Sequence, residues 1–136
     1  MEVVKQQFQW AVQALAQPAD VQLALFPPFV VVADELALDF DNWWKTFESN
    51  FGDSCSRQQR QVVAGLDQFL NEMSGPEKSE LWLGPGCLNH PKWDEVRQLA
   101  ADVLSTFGWP LDVPPLGRAL YRRCESGKGK GDQSDC

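Results

Sequence analysis

Cys87 and His90 are the one local pair in this sequence whose types and spacing suit metal chemistry. A structural zinc site takes four ligands. Cys55 or Cys124 would have to come in from elsewhere, and His90 is the sole histidine. The same pair could supply a thiolate and its base, with Cys55 as the other candidate nucleophile. No neighbouring residue is placed to orient the imidazole, as a working nucleophile–base pair requires. The plainer reading is that His90 marks a helix start and Cys87 is a small apolar loop residue. Asp39-Phe40-Asp41 has the form of an ion-holding D-x-D pair. On a helix, residues two apart project about 200° from each other and would not share a ligand. A di-metal bundle would need Glu-x-x-His pairs, which are missing. Gly127-Lys128-Gly129-Lys130-Gly131 follows no strand and opens no helix, so it lacks the frame of a phosphate cradle. No cofactor, no metal and no catalytic residue is expected.

What remains is a charged helix face. From Ala33 to Gly52, Leu36, Phe40, Trp43, Phe47 and Phe51 recur at steps of four and three, the spacing of one buried helical stripe. The other faces hold Asp34, Glu35, Asp39, Asp41 and Glu48 against the single base Lys45. Asp34, Asp41 and Glu48 share a face at intervals of seven. Trp44 is displaced by about 100° from Trp43, toward Asp41, Lys45 and Glu48. An aromatic ring among carboxylates suits the centre of an interface. Asp34, Asp41, Trp44 and Glu48 are therefore the expected partner-binding residues. The competing reading buries Trp44 under a loop or against another helix.

The elements that position this face are predicted as follows. A first helix covers about Glu2 to Gln17, with Val4, Phe8, Val12 and Leu15 inward, and Pro18 ends it. Asp20 caps a short helix through Phe26, stopped by Pro27-Pro28. Phe29 to Val32 would suit a buried strand, but no second strand exists to pair with it. It is read as the buried approach to the long helix. Ser56 and Gln59 form a capping box for the next helix, whose stripe is Val62, Leu66, Phe69 and Met73, thickened by Val63 and Leu70. Gly75-Pro76 closes it. Glu77 to Leu83 adds a helical turn, and Leu83 to Pro91 is a turn-rich loop. Pro91 opens the last long helix, with Trp93, Val96, Ala100, Val103 and Phe107 inward and Gly108 as its stop. Pro110 to Pro115 is extended, and Leu116 to Cys124 forms a short helix anchored by Leu116 and Leu120. The fold class is all-α: about four main helices with short helical turns, as a bundle or an orthogonal array, in one domain over 1–124. Residues 125–136 read as a flexible polar tail.

The net charge of −7 is uneven. Residues 1–117 hold seven bases and sixteen acids, a net −9, while 118–136 hold five bases and three acids, a net +2. Such a body repels nucleic-acid backbones and anionic membranes and attracts a basic protein. The start of the chain lacks a basic region followed by a continuous apolar run. It reads as an amphipathic helix rather than a secretory signal, and no apolar run reaches membrane-spanning length. A cytoplasmic protein with cysteines kept as thiols is expected.

In size, acidity and helical content the chain resembles the immunity and antitoxin-like proteins of bacterial toxin systems. The resemblance runs over the whole length and assigns no residue a role. It implies a non-enzymatic, acidic inhibitor of a basic partner. Two alternatives compete with that expectation. One is a homo-oligomeric or scaffold protein joined through its rings. The other is a small-molecule or enzymatic function in a pocket between helices, which would show inward-facing ionisable residues.

Overall fold

Five helices follow one another in the computed structural model, which describes residues 2–27, 29–83 and 86–115. They are α1 (Glu2–Leu15), α2 (Ala19–Ala24), α3 (Val32–Phe51), α4 (Arg57–Glu72) and α5 (Pro91–Phe107). Single 3-10 turns fill Gly52–Ser54, Pro76–Leu81 and Cys87–Asn89. No strand occurs among the described residues. The expected short helix at 116–124 and the polar tail lie outside the described residues.

The helix ends follow from local chemistry. The Ser56 hydroxyl accepts from the Gln59 amide at 3.0 Å and the Gln59 side chain accepts from the Ser56 amide at 2.8 Å, closing the capping box. At α5, Pro91 takes the first position and His90 Nδ1 accepts from the Lys92 amide at 3.0 Å. Gly108, at φ 74°, stops α5 in the left-handed conformation that glycine adopts without strain. Boundaries around α2 differ from expectation, and α2 itself closes at Ala24 rather than Phe26. α1 ends at Leu15, two residues early, and Pro18 rather than Asp20 stands at the start of α2, with Asp20 inside its first turn. Phe29 is 72% exposed and Val31 is exposed, so the run before α3 is not the buried approach the sequence suggested. Val30 and Val32 are half-buried against the core, so the run alternates between core and surface.

α1 packs along α3 and α5, and α4 packs on α5. At their centre lies Phe8, fully buried, stacked on Phe47 at 4.8 Å between ring centres. Its other ring neighbours are Phe40 at 6.2 Å, Trp44 at 5.4 Å, Phe107 at 6.1 Å and Trp109 at 5.8 Å. Trp93 of α5, also fully buried, packs against the Pro76–Leu81 turn. Its indole N–H donates to the Leu81 carbonyl at 2.8 Å, and the edge-on Trp82 donates to the Met73 carbonyl at 2.9 Å. Both rings therefore bury large apolar area while their polar atoms stay satisfied.

A polar node closes the end of α1. A helix leaves its last carbonyls without intrahelical partners. The buried Gln22 amide donates to the carbonyls of Ala14 and Leu15, at 3.1 Å each. Arg97 from α5 donates to the Gln17 carbonyl at 3.0 Å, to the Gln22 side-chain oxygen at 3.3 Å and to the Leu88 carbonyl, and pairs with Asp94 at 2.7 Å. Further along, Gln13 and Gln17 donate to the carbonyls of Pro110 and Asp112, at 2.8 and 3.0 Å. One α1 face thus carries the chain that leaves α5.

Phe8→Ala is expected to cost about 3–5 kcal/mol in urea unfolding, the range for removing a fully buried ring. Arg97→Lys keeps the charge but loses the planar fork, and should cost about 1–3 kcal/mol because carbonyls are left without donors.

Candidate functional site

The face read from the sequence is divided by the structure. α3 buries a wide arc, including Ala33, Leu36, Phe40 and Phe47, and Asp39 on its flank is buried too. Asp39 therefore does not belong with the outward carboxylates. It sits three residues after Leu36 and one before Phe40, on the shoulder of the stripe, where packing takes it inward. Trp44 is half-buried and its ring lies against Phe8 and Phe47, at 5.4 and 6.2 Å. Trp43 is half-buried as well, against the core. Asp34, in the first turn of α3, is close enough to the Cys87 thiol to disfavour its ionisation. Glu48 is exposed near the C-terminal end of α3.

Asp41 lies where α3 faces α4. A groove of about 430 Å³ between them is lined by Leu38, Asp41, Lys45, Asp67, Asn71 and Trp82, among others. Asp41 and Lys45 pair one helical turn apart at 2.9 Å. Asp67 enters from α4, a residue the sequence reading passed over. Partial burial pushes its carboxyl above the ordinary aspartate value, and the charges of Asp41 and Glu48 add to that push while Lys45 opposes it. The groove thus holds two carboxylates against one ammonium, with Glu48 reinforcing the negative field. Asp67 could have been suspected from its spacing: it follows Leu66 by one and Val63 by four, at the edge of the α4 stripe rather than opposite it.

A second, apolar groove of about 450 Å³ opens beside the start of α3. Its walls are Leu23 of α2, Pro27, residues 30–33, and Trp82, Leu83, Cys87 and Leu88. Burial pushes the Cys87 thiol above its usual value, with the Asp34 charge adding to the shift. Burial also raises the Cys55 thiol. Both move away from the thiolate that nucleophilic chemistry uses. His90 spends Nδ1 on the α5 cap. Among the described residues no three His, Cys, Asp or Glu side chains converge as metal ligands do. No helix there is long and apolar enough to cross a membrane.

The chain matches no protein-family model, and no curated protein or solved structure shows significant similarity to it.

The raised Asp67 fixes the sign of one pH effect. Its folded-state carboxyl holds a proton to higher pH than the ordinary value of 3.8. The stability it contributes is present below that value and is lost as pH rises through the raised one. Asp67→Asn should therefore stabilise the protein at pH 7 by roughly 0.5 kcal/mol, the scale of a partly exposed charge interaction. The gain should vanish in acid, as followed by urea midpoints across pH.

Proposed function

We propose that this is a non-enzymatic, acidic protein-binding domain that receives a basic partner along the α3–α4 groove, in the manner of an immunity or antitoxin-like inhibitor. The observation that carries the reading is the convergence of Asp41 and Asp67 from two helices, with Glu48 adding to their field. A carboxyl whose ionisation is disfavoured by its neighbours gains most from an incoming cation. Arginine suits the place, because its planar fork can bridge two carboxylates while its stem lies on apolar wall. Leu38, 53% exposed, and the flank of Trp82 offer that wall. Trp44 lies one turn from both Asp41 and Glu48 along α3 but packs toward Phe8 and Phe47 rather than lining the groove, so its part in binding would be at the rim beyond it. Asp34, nearer the apolar groove, would contribute to the long-range field rather than to contact.

The opposite charge of body and partner should speed encounter and make it salt-dependent. A partner recovered from the native host should bind more weakly as salt rises from about 0.05 to 0.5 M, where screening shortens to a few ångströms. Asp41→Asn/Asp67→Asn should weaken it about tenfold, roughly 1.4 kcal/mol. Trp44→Phe, which keeps a ring on Phe8, separates contact from stability better than Trp44→Ala. An affinity indifferent to salt and to the double substitution overturns the reading.

A further inference from the structure

We propose that residues 116–123 of this chain dock into the apolar groove bounded by Leu23 of α2, residues 30–33 at the start of α3, Trp82–Leu83 and the Cys87–Asn89 turn. Three observations lead there, none of which depends on the acidic groove. The groove is rimmed by large apolar side chains left at the surface, Leu23 at 55%, Leu83 at 66% and Val31 at 43% exposure. A contiguous apolar face of this kind on a soluble body normally receives a partner surface.

The second observation is the route of the chain. After α5 it runs along α1, held by Gln13 at Pro110 and by Gln17 at Asp112, and Pro114 is buried. It therefore travels toward the C-terminal end of α1. There a single guanidinium, Arg97, bonds both the Gln17 carbonyl and the carbonyl of Leu88, a residue of the groove wall. Gln22, bonded to the same end of α1, is the chain neighbour of Leu23 on the rim. Asp112 is thus carried to within a few side chains of the groove. Each further residue can advance about 3.3 Å, so residues 116–123 have the reach.

The third observation is chemical. Residues 116–123 read LGRALYRR. Leu116 and Leu120 are four apart, the spacing of one helical face, with Tyr121 beside them. Arg118, Arg122 and Arg123 stand among no acids, while residues 1–117 carry −9. Asp34 follows Ala33 of the groove wall by one residue, and its charge is felt at Cys87. Apolar residues would enter the groove and arginines would stay at its edge in the negative field of the body, an arrangement stabilised by burial and charge together.

Cys87 lies in the groove wall and reports on its cover. The test is the rate of N-ethylmaleimide modification of the native full chain, resolved thiol by thiol by peptide mass. Leu116→Asp/Leu120→Asp should speed modification at Cys87 roughly fivefold, as expected when local cover is removed. The charge reversal Arg118→Glu/Arg122→Glu/Arg123→Glu should speed it less. Cys55, in a separate cleft against Phe51 and Trp109, should keep its rate in both. Unchanged modification of Cys87 in both variants overturns the proposal. So does protection of Cys87 that is lost on dilution, which would mean the groove takes a second copy of the chain. A rise at both thiols in the leucine variant signals a loosened fold. The decision then falls to the charge reversal, where a rate at Cys87 equal to that of the unsubstituted chain overturns the proposal and a selective rise supports it.

Discussion

The carbonyls released where α1 ends set the terms for the rest of this fold. Burying a helix terminus without donors costs more than most packing gains return. Here the donors come from two other elements: Gln22 of α2 covers Ala14 and Leu15, and Arg97 of α5 covers Gln17. Arg97 also bonds Gln22 and the Leu88 carbonyl, so a single guanidinium fixes α2, the 82–89 loop and the end of α1 with respect to one another. The apolar groove is downstream of this arrangement. It is bordered by Leu23 and Leu88, each next to or within the node. The acidic one depends on Trp82, which lines it while held to Met73.

Much of the fold was legible because its signals are local. The capping box at Ser56, the first-position proline at Pro91 and the left-handed glycine at 108 each state their chemistry within four residues. The apolar stripes of α3, α4 and α5 likewise declare one face apiece, and Leu36, Phe40, Leu66, Trp93 and Val96 are buried as their spacing requires. The miss at Phe29–Val32 has a physical cause. An unbroken apolar run does not say which of its residues turn inward; here Val30 and Val32 meet the core while Phe29 and Val31 are exposed. The node escaped notice for a different reason. Gln13, Gln17, Gln22 and Arg97 are ordinary polar residues in sequence, and their work is to answer backbone groups as many as 97 positions away.

The candidate site was half legible. Periodicity put Asp41 and Glu48 on one side of α3, and they remain near its surface. It could not reveal that Asp67 would face them, because which helix lies alongside α3 is a tertiary matter. Nor could it fix the width of the buried arc, which takes in Asp39 and half of Trp44. An i, i+7 pattern defines a line along a helix; neighbours on either side decide how much of that line meets water.

The stitching of α1 to residues 110–112 bears on how the polypeptide acquires its shape during synthesis. α3 can cover Phe8 through Phe40, Trp44 and Phe47, but Phe107, Trp109 and the Pro110 carbonyl that Gln13 bonds follow only when α5 and the chain beyond it have left the ribosome. Closing so long a loop is entropically slow relative to pairing nearby helices. Until then the side of α1 that meets α5 stays uncovered, and nascent chains stalled before α5 would be natural clients for chaperones that hold amphipathic segments.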